Sequence, residues 1–370
     1  MDNTSNYDVI VIGARVAGSI LATLLGEMGY RVLVFDRATF PSDTLSTHFF
    51  RAPALRVFKK IGVYEEVQSA APHLTVNYNV IDGIVFAEAV DRPDDYPFYM
   101  CVRRITLDDI LVRRMKKTPN VELREGIKIT GLLRENGLVA GVKWKGSHQE
   151  GEAQAKVVVG ADGVNSFMAK AVDAQSEYQE PINRAMYYAY YRGITANEGP
   201  AAEFHYWDNT LVYCFPCDDD LALLAVSVPI SEFAAFKRNP DARFFSELKA
   251  MADLAPRLSS AQRAGQVRGS GSIPGYLRIP YGKGWALVGD AAMAMDPWSG
   301  QGIDQASTHA LLLAQYLGDY LSGRRDWEPA MQAYHQERKE FSLKTYQRTC
   351  KFSVDLRPMT RAALERRGLG

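Results

Sequence analysis

Apolar residues along this chain switch between a strand-like run and a helix-like spacing, and the opening segment shows both. Tyr7–Ile12 alternates and then runs apolar, as a strand buried on both faces does. After Gly13, small or apolar residues recur at Ala17, Ile20, Leu21, Leu24, Leu25 and Met28, which predicts a helix that Gly29 stops. A second apolar strand, Val32–Phe35, ends in Asp36. Strand, helix and strand within about 30 residues open a βαβ unit. Two later strands also run into glycine turns. Residues 156–159 lead into Gly160-Ala-Asp-Gly163 and then Ser166. Residues 285–288 lead into Gly289-Asp290, then Asp296-Pro297 and Gly300-Gln301-Gly302. From Ile303 onward, Ala306, Ala310, Leu311, Leu313, Ala314 and Leu317 predict a long packed helix. Between these segments the pattern is strand-rich: 186–191 with aromatics on both faces, 204–207, 211–215, and 221–228 after the acidic turn Asp218-Asp219-Asp220. Residues 327–370 read as helix, basic toward the end through Arg357, Arg361, Arg366 and Arg367.

Composition narrows the classes. Lys+Arg and Asp+Glu are both 43, so the formal net charge is zero, and a nucleic-acid partner is not expected. The 370 residues suffice for one large core or two smaller ones. Met1 to Tyr7 is polar and lacks the basic and apolar regions of a signal peptide. No apolar stretch approaches the roughly 18 residues of a membrane-spanning helix. Four cysteines in such a chain are no disulfide framework, and a cytoplasmic location fits.

The first turn has the logic of a dinucleotide site. A helix N-terminus offers N–H groups and positive potential to a pyrophosphate, and an acid closing the second strand accepts from ribose hydroxyls. Asp36 lies 18 residues after Gly18. The departure is Arg15, where the usual G-x-G-x-x-G has its middle glycine. An arginine fits there only with negative φ and a side chain that turns away or folds over the phosphates. The second turn places Asp162 either at a ligand or in an ordinary bend. In the third, N–H groups around Gln301 converge where a ring of developing negative charge would rest, and Asp290 would accept from a polyol chain.

These three segments, in this order and spacing, resemble the FAD-dependent aromatic hydroxylase-like flavoproteins of the para-hydroxybenzoate hydroxylase fold, a group that also holds geranylgeranyl reductases and flavin halogenases. The resemblance covers roughly residues 7 to 340. It implies an α/β fold: a Rossmann-like FAD-binding domain of the GR2 type at 1–80, 100–178 and 280–325, an inserted antiparallel-sheet substrate domain at 81–99 and 179–279, and C-terminal helices at 326–370. It assigns Gly13, Ala14, Arg15, Ala17 and Gly18 to the pyrophosphate, and Asp36, Arg37, Arg51 and Arg104 (of Arg104-Ile-Thr-Leu107) to the cofactor side. Asp162 falls by the cofactor and the NAD(P)H path, Gly289 and Asp290 at the ribityl chain, and Pro297, Gly300, Gln301, Gly302 and Ile303 beside the flavin ring. Gly-Ala-Arg at 13–15, the run Phe40 to His48, and Asp296-Pro297 resemble a bacterial branch that tolerates Arg at the middle glycine. Two positions depart from the family: Ala169 where an arginine is usual, and Met293 where a histidine is usual.

The resemblance implies a monooxygenase. NAD(P)H reduces FAD, O2 adds at flavin C4a, and the resulting (hydro)peroxide inserts one oxygen into an aromatic or polyketide-like small molecule. His48 falls where the chain passes the flavin and is either a general acid/base or a pocket-shaping group. Tyr188, Tyr190, Tyr213 and Trp298 are candidate pocket residues, with sheet core as the alternative for each. A reductase or dehydrogenase of the same fold stays open, and Tyr213-Cys-Phe-Pro216 faintly resembles the prenyl reductases. A non-catalytic FAD-binding protein also stays open. A halogenase is disfavoured, since the chain has no W-x-W-x-I-P segment. Cys214-Phe-Pro-Cys217 sits at a strand end, where no redox role is expected, and no metal site is expected. The expected partners are the substrate and O2, and the protein would be a monomer or homodimer.

Overall fold

The computed structural model describes residues 7–90, 96–194, 197 and 199–369. Residues 1–6, on which the signal-peptide reading rests, lie outside that set. Two sheets organise the chain. The first runs Tyr281–Gly282, Trp285–Leu287, Glu150–Gly160, Tyr7–Ile12, Val32–Phe35 and Val121–Arg124, and all but the edge pair at Tyr281–Gly282 are parallel. Its strands are apolar without a break because both faces are covered. Val9, Val11, Val32 and Val34 face one core, with the helices Val16–Glu27 and Gly302–Leu321. Ile10, Ile12, Leu33 and Phe35 face another, with Trp144, Met168 and Leu287. Each such aliphatic side chain stabilises by about 2 kcal/mol when fully buried. Every residue from Val16 to Gly26 is buried, so this helix is a central strut.

The second sheet runs Gln262–Ser270, Arg184–Arg192, Ala222–Pro229, Thr210–Pro216, Ala201–Trp207, Val76–Ile81 and Ile84–Ala89. It holds all four of the expected central strands. Tyr188 and Tyr213 pack on the face that meets Phe49, Cys101 and Trp298. Tyr187 and Tyr191 pack on the opposite face, under Phe236, Phe244 and Leu248 of the helices Phe233–Arg238 and Pro240–Ala250. The expected boundary at residue 81 comes too late. Val76–Ile81 already belongs to this sheet, paired parallel with Ala201–Trp207, because its Tyr78 and Val80 need that partner to be buried. The C-terminal segment forms the helices Trp327–Val354 and Arg357–Glu365. Among the described residues, no helix is long and apolar enough to cross a membrane.

Candidate active site

Three neighbouring strands of the parallel sheet end level with one another: Ile12 beside Gly160, and Gly160 beside Leu287. The three glycine turns therefore leave one edge together, where ligands bind in open α/β sheets. Their packing leaves no room for side chains. A Cβ on Gly13 (φ +106°) would overlap the Ala161 carbonyl, and one on Gly18 would overlap the Gly13 carbonyl. A Cβ on Gly289 (φ +61°) would come within 2.9 Å of the Ala17 methyl. First turn thus touches second, and first touches third.

The surroundings of these turns suit an anionic, polyhydroxylated cofactor. Helix Val16–Glu27 begins with neither a side-chain cap nor an acid in its first turn, so its N-terminal potential is not cancelled by the chain. Helix Gly302–Leu321 lacks a side-chain cap too, its first-turn acid Asp304 is paired with Arg51, and a Cβ on Gly302 would meet nothing within 4 Å. Asp290, in the short 3-10 turn Gly289–Ala291, is exposed to solvent, with protein packed densely around it. Burial raises its carboxyl pKa to about 6, and Arg104 pulls it partly back.

Arg51 fixes the third turn. Its guanidinium donates to the carbonyls of Gly300 (2.8 Å) and Ser299 (3.0 Å) and to Asp304 (3.1 Å), while its backbone N–H donates to Asp304 (2.9 Å). Gly300 takes φ +59°, a conformation that glycine adopts without strain. Pro297 opens the short 3-10 turn before it, and Ile303 anchors the helix after it in the core. Asp296 accepts from the Trp298 N–H (3.0 Å), and the Trp298 indole donates to the Thr349 carbonyl (3.0 Å), tying the turn to the C-terminal helix.

Other expected site residues have protein partners. Asp36 accepts from the N–H groups of Ala14 (2.7 Å) and Ala38 (2.7 Å), which shapes the first turn from below. Asp162 accepts from the Ser166 hydroxyl (2.5 Å) and the Met168 N–H (3.1 Å), and so steadies the short helix Phe167–Ala171. Arg37 is exposed. Arg104 makes a two-point pair with Asp108 (2.9 and 3.0 Å), and Arg15 reaches the same carboxylate (2.5 Å). Met293 fills a small core with Leu277 and Tyr346, and Ala169 is buried in the second core.

The second sheet roofs the cleft. Tyr190 Oη lies 2.9 Å from His48 Nε2, the Tyr188 ring meets the imidazole edge-on, and Tyr213 donates to the Trp298 carbonyl. His48 is fully buried at φ +58°, and among the described residues its Nδ1 has no partner. Burial, reinforced by Arg104, Arg103 and Arg268, lowers its pKa to about 3. Of the two expected roles, these surroundings favour the pocket-shaping one over a charged acid–base group. At pH 7 this imidazole is an uncharged hydrogen-bonding group. Burial raises the Tyr190 pKa, so the pair is neutral on both sides.

Sequence reasoning passed over the acids that organise these arginines: Asp108 for Arg15 and Arg104, Asp304 for Arg51, Asp218 for Arg103 and Asp43 for Arg268. Only Asp108 left a local signal, four residues beyond Arg104 on one helix face. The four cysteines are buried free thiols, and burial raises the pKa of Cys101 and Cys214. Glu203, His205 and Asp253 stand close enough for a metal, but Arg257 occupies both Glu203 oxygens (2.7 and 2.9 Å).

Comparison with known proteins agrees with this geometry. A family model described as an FAD binding domain matches residues 6–215 and 280–349. The chain is 23% identical over 344 residues to 1H-pyrrole-2-carbonyl-[peptidyl-carrier protein] brominase of Pseudoalteromonas luteoviolacea, covering 90% of this chain and 82% of that protein. It is 25% identical over 348 residues to digeranylgeranylglycerophospholipid reductase of Methanocella arvoryzae, covering 91% and 83%. The crystal structure of p-nitrophenol 4-monooxygenase from Pseudomonas putida superposes with a TM-score of 0.81 at 19% identity, covering 97% of this chain and 92% of that one. With three turns meeting at one sheet edge and the family match spanning them, the chain belongs to the FAD binding domain family and is an FAD-dependent oxidoreductase.

Proposed function

We propose that the protein is a monooxygenase that uses FAD and NAD(P)H to insert one atom of O2 into a flat aromatic or polyketide-like molecule. Bound FAD supplies the two-electron chemistry and the activation of oxygen. The balance is substrate, O2, NAD(P)H and a proton in, and hydroxylated product, NAD(P)+ and water out. The chain's own residues bind, orient and keep the site dry. The helix starts at Val16 and Gly302 would face the cofactor's negative charge, and Asp290 would accept from its polyol chain. Arg51 holds the ring-side turn in one shape. Tyr188, Tyr190 and the neutral His48 offer a flat, uncharged surface with hydrogen-bonding tips.

The observation that carries this reading is that aromatic roof, set opposite the turns and edged by ion pairs. Its flat rings suit a compact aromatic guest better than a long prenyl chain. The test is to incubate purified holoenzyme with NAD(P)H, 18O2 and a panel of aromatic compounds. Product carrying 18O, dependent on flavin, is expected. Reduced product formed without O2 would replace this reading with the reductase, and brominated product on adding bromide would replace it with the chemistry named for the Pseudoalteromonas relative.

A further inference from the structure

Arg15 occupies the position where the dinucleotide fingerprint has its middle glycine, beside the N-terminus that would face the diphosphate. Its backbone accepts a side chain without strain, at φ −82° and ψ −162°. Its guanidinium has five N–H groups. The two on Nη1 go to the Ser42 carbonyl (3.1 Å) and Asp108 (2.5 Å). The two on Nη2 go to the Ser42 hydroxyl (3.1 Å) and the Asp43 carbonyl (3.2 Å). The Phe40 ring lies 5.4 Å from its central carbon. Among the described residues only Nε–H is left without a partner, too little for the two-point grip by which arginine holds a phosphate.

Those bonds end at the start of a segment whose far end, Thr47 and His48, is buried. Residues 43–48 have no helix or strand. Among the described residues, the segment's other ties to the body are the Asp43–Arg268 ion pair (2.5 Å), a weak Cys101 thiol contact to the Thr47 carbonyl, and, at its far end, the Val102 N–H bond to the His48 carbonyl (3.2 Å) and the His48–Tyr190 hydrogen bond (2.9 Å). The segment ends at His48, and Asp43 meets Arg268 of the substrate sheet.

We infer that Arg15 is a positioning residue: it clamps segment 42–48 to the cofactor turn, so that the cofactor end of the molecule sets the placement of His48 and of the Asp43–Arg268 contact. The inference rests on the FAD reading for its functional meaning, whereas the clamp itself is testable without flavin. Through it, the same turn serves the diphosphate with its backbone and the substrate side with its side chain.

The experiment compares wild type, R15G and R15K by hydrogen exchange, read by mass spectrometry on peptides covering 42–48 and 7–12, with and without added FAD. FAD affinity is measured in parallel by fluorescence. Arginine to glycine restores the ordinary fingerprint, and lysine keeps the charge but loses the fork. Both variants are expected to exchange about tenfold faster at 43–47, with 7–12 unchanged and FAD affinity within about threefold of wild type. Unchanged exchange at 43–47 in both variants overturns the clamp, whatever FAD does. FAD affinity lost about tenfold in R15G but kept in R15K also overturns it, because a charge alone would then be serving the diphosphate. If R15G does not fold, R15K carries the comparison. Wild type that never takes up FAD refutes the flavin reading while the flavin-free exchange data still decide the clamp.

Discussion

The two sides of the cleft are built by different means. On the cofactor side, backbone does the shaping: glycines at 13, 18 and 289 let three turns come into contact, and two helix starts are left without side-chain caps. On the substrate side, side chains do it: aromatic rings, a neutral imidazole and arginines each matched to a carboxylate. A site made of backbone has little tolerance for added volume and little response to pH. One made of paired side chains tolerates shape changes better and is sensitive to the loss of a partner.

The sharpest way to break this contrast is Gly18→Val on the cofactor side. Its side chain would overlap the Gly13 carbonyl, so a loss of about 3 kcal/mol or more and absence of bound flavin are expected from melting curves and absorbance. Retained yellow protein of normal stability would show that the turns do not meet as described. Next in size is Arg51→Ala, which takes the guanidinium from the buried Asp304 and leaves it backbone N–H partners only. About 3 kcal/mol should be lost, and the double variant with Asp304→Ala should recover part of it. No recovery would assign the effect to the Ser299 and Gly300 carbonyls instead.

Asp290→Asn probes the border between the two styles. It should weaken FAD binding about tenfold by titration at pH 8. In the wild type, affinity should fall as pH drops through about 6, because the protonated carboxyl accepts less well. The flavin-free fold should move the other way. Its raised pKa means that the folded state holds more protons than the unfolded state between about 4 and 6, so relative to Asp290→Asn it gains stability as pH falls across that window. A pH-independent difference in either quantity would contradict the assigned environment.

Smaller still, His48→Gln should lower turnover about tenfold without moving the pH profile, since a group titrating near 3 contributes no limb near neutrality. A limb near pH 6.5 present in the wild type and absent in the variant would restore the acid–base role. Least of all, Cys217→Ala should leave turnover within about twofold, because a buried thiol at a strand end has no means of activation.

The cofactor side was readable in the sequence because its signals are local. Tyr7–Ile12 and Val32–Phe35 emerged with the boundaries the periodicity gives, and each turn announced itself by glycines within a few residues. The substrate side was not, because its partners are far apart. Asp108 lies 93 residues from Arg15, and Asp43 lies 225 from Arg268. The strand at Val76–Ile81 carries asparagines in its middle and finds its place only against Ala201–Trp207. The uncharged state of His48 follows first from its burial and then from Arg104, Arg103 and Arg268, contributed by different parts of the chain. No window along the sequence contains that information.

Strand Glu150–Gly160 belongs to two systems at once. Its first half pairs antiparallel with Leu138–Lys145, and its second half lies between Tyr7–Ile12 and Trp285–Leu287. It works as a ruler laid from the periphery to the reactive edge, and adding a single residue to its inner half would turn its side chains over and drag the second glycine turn out of line. The hairpin bend at Asn136 and Gly137, both at positive φ, is the place on the same ribbon where extra length would be absorbed without reaching the centre. A reporter dye or affinity handle therefore belongs there, where added residues leave the strand register intact.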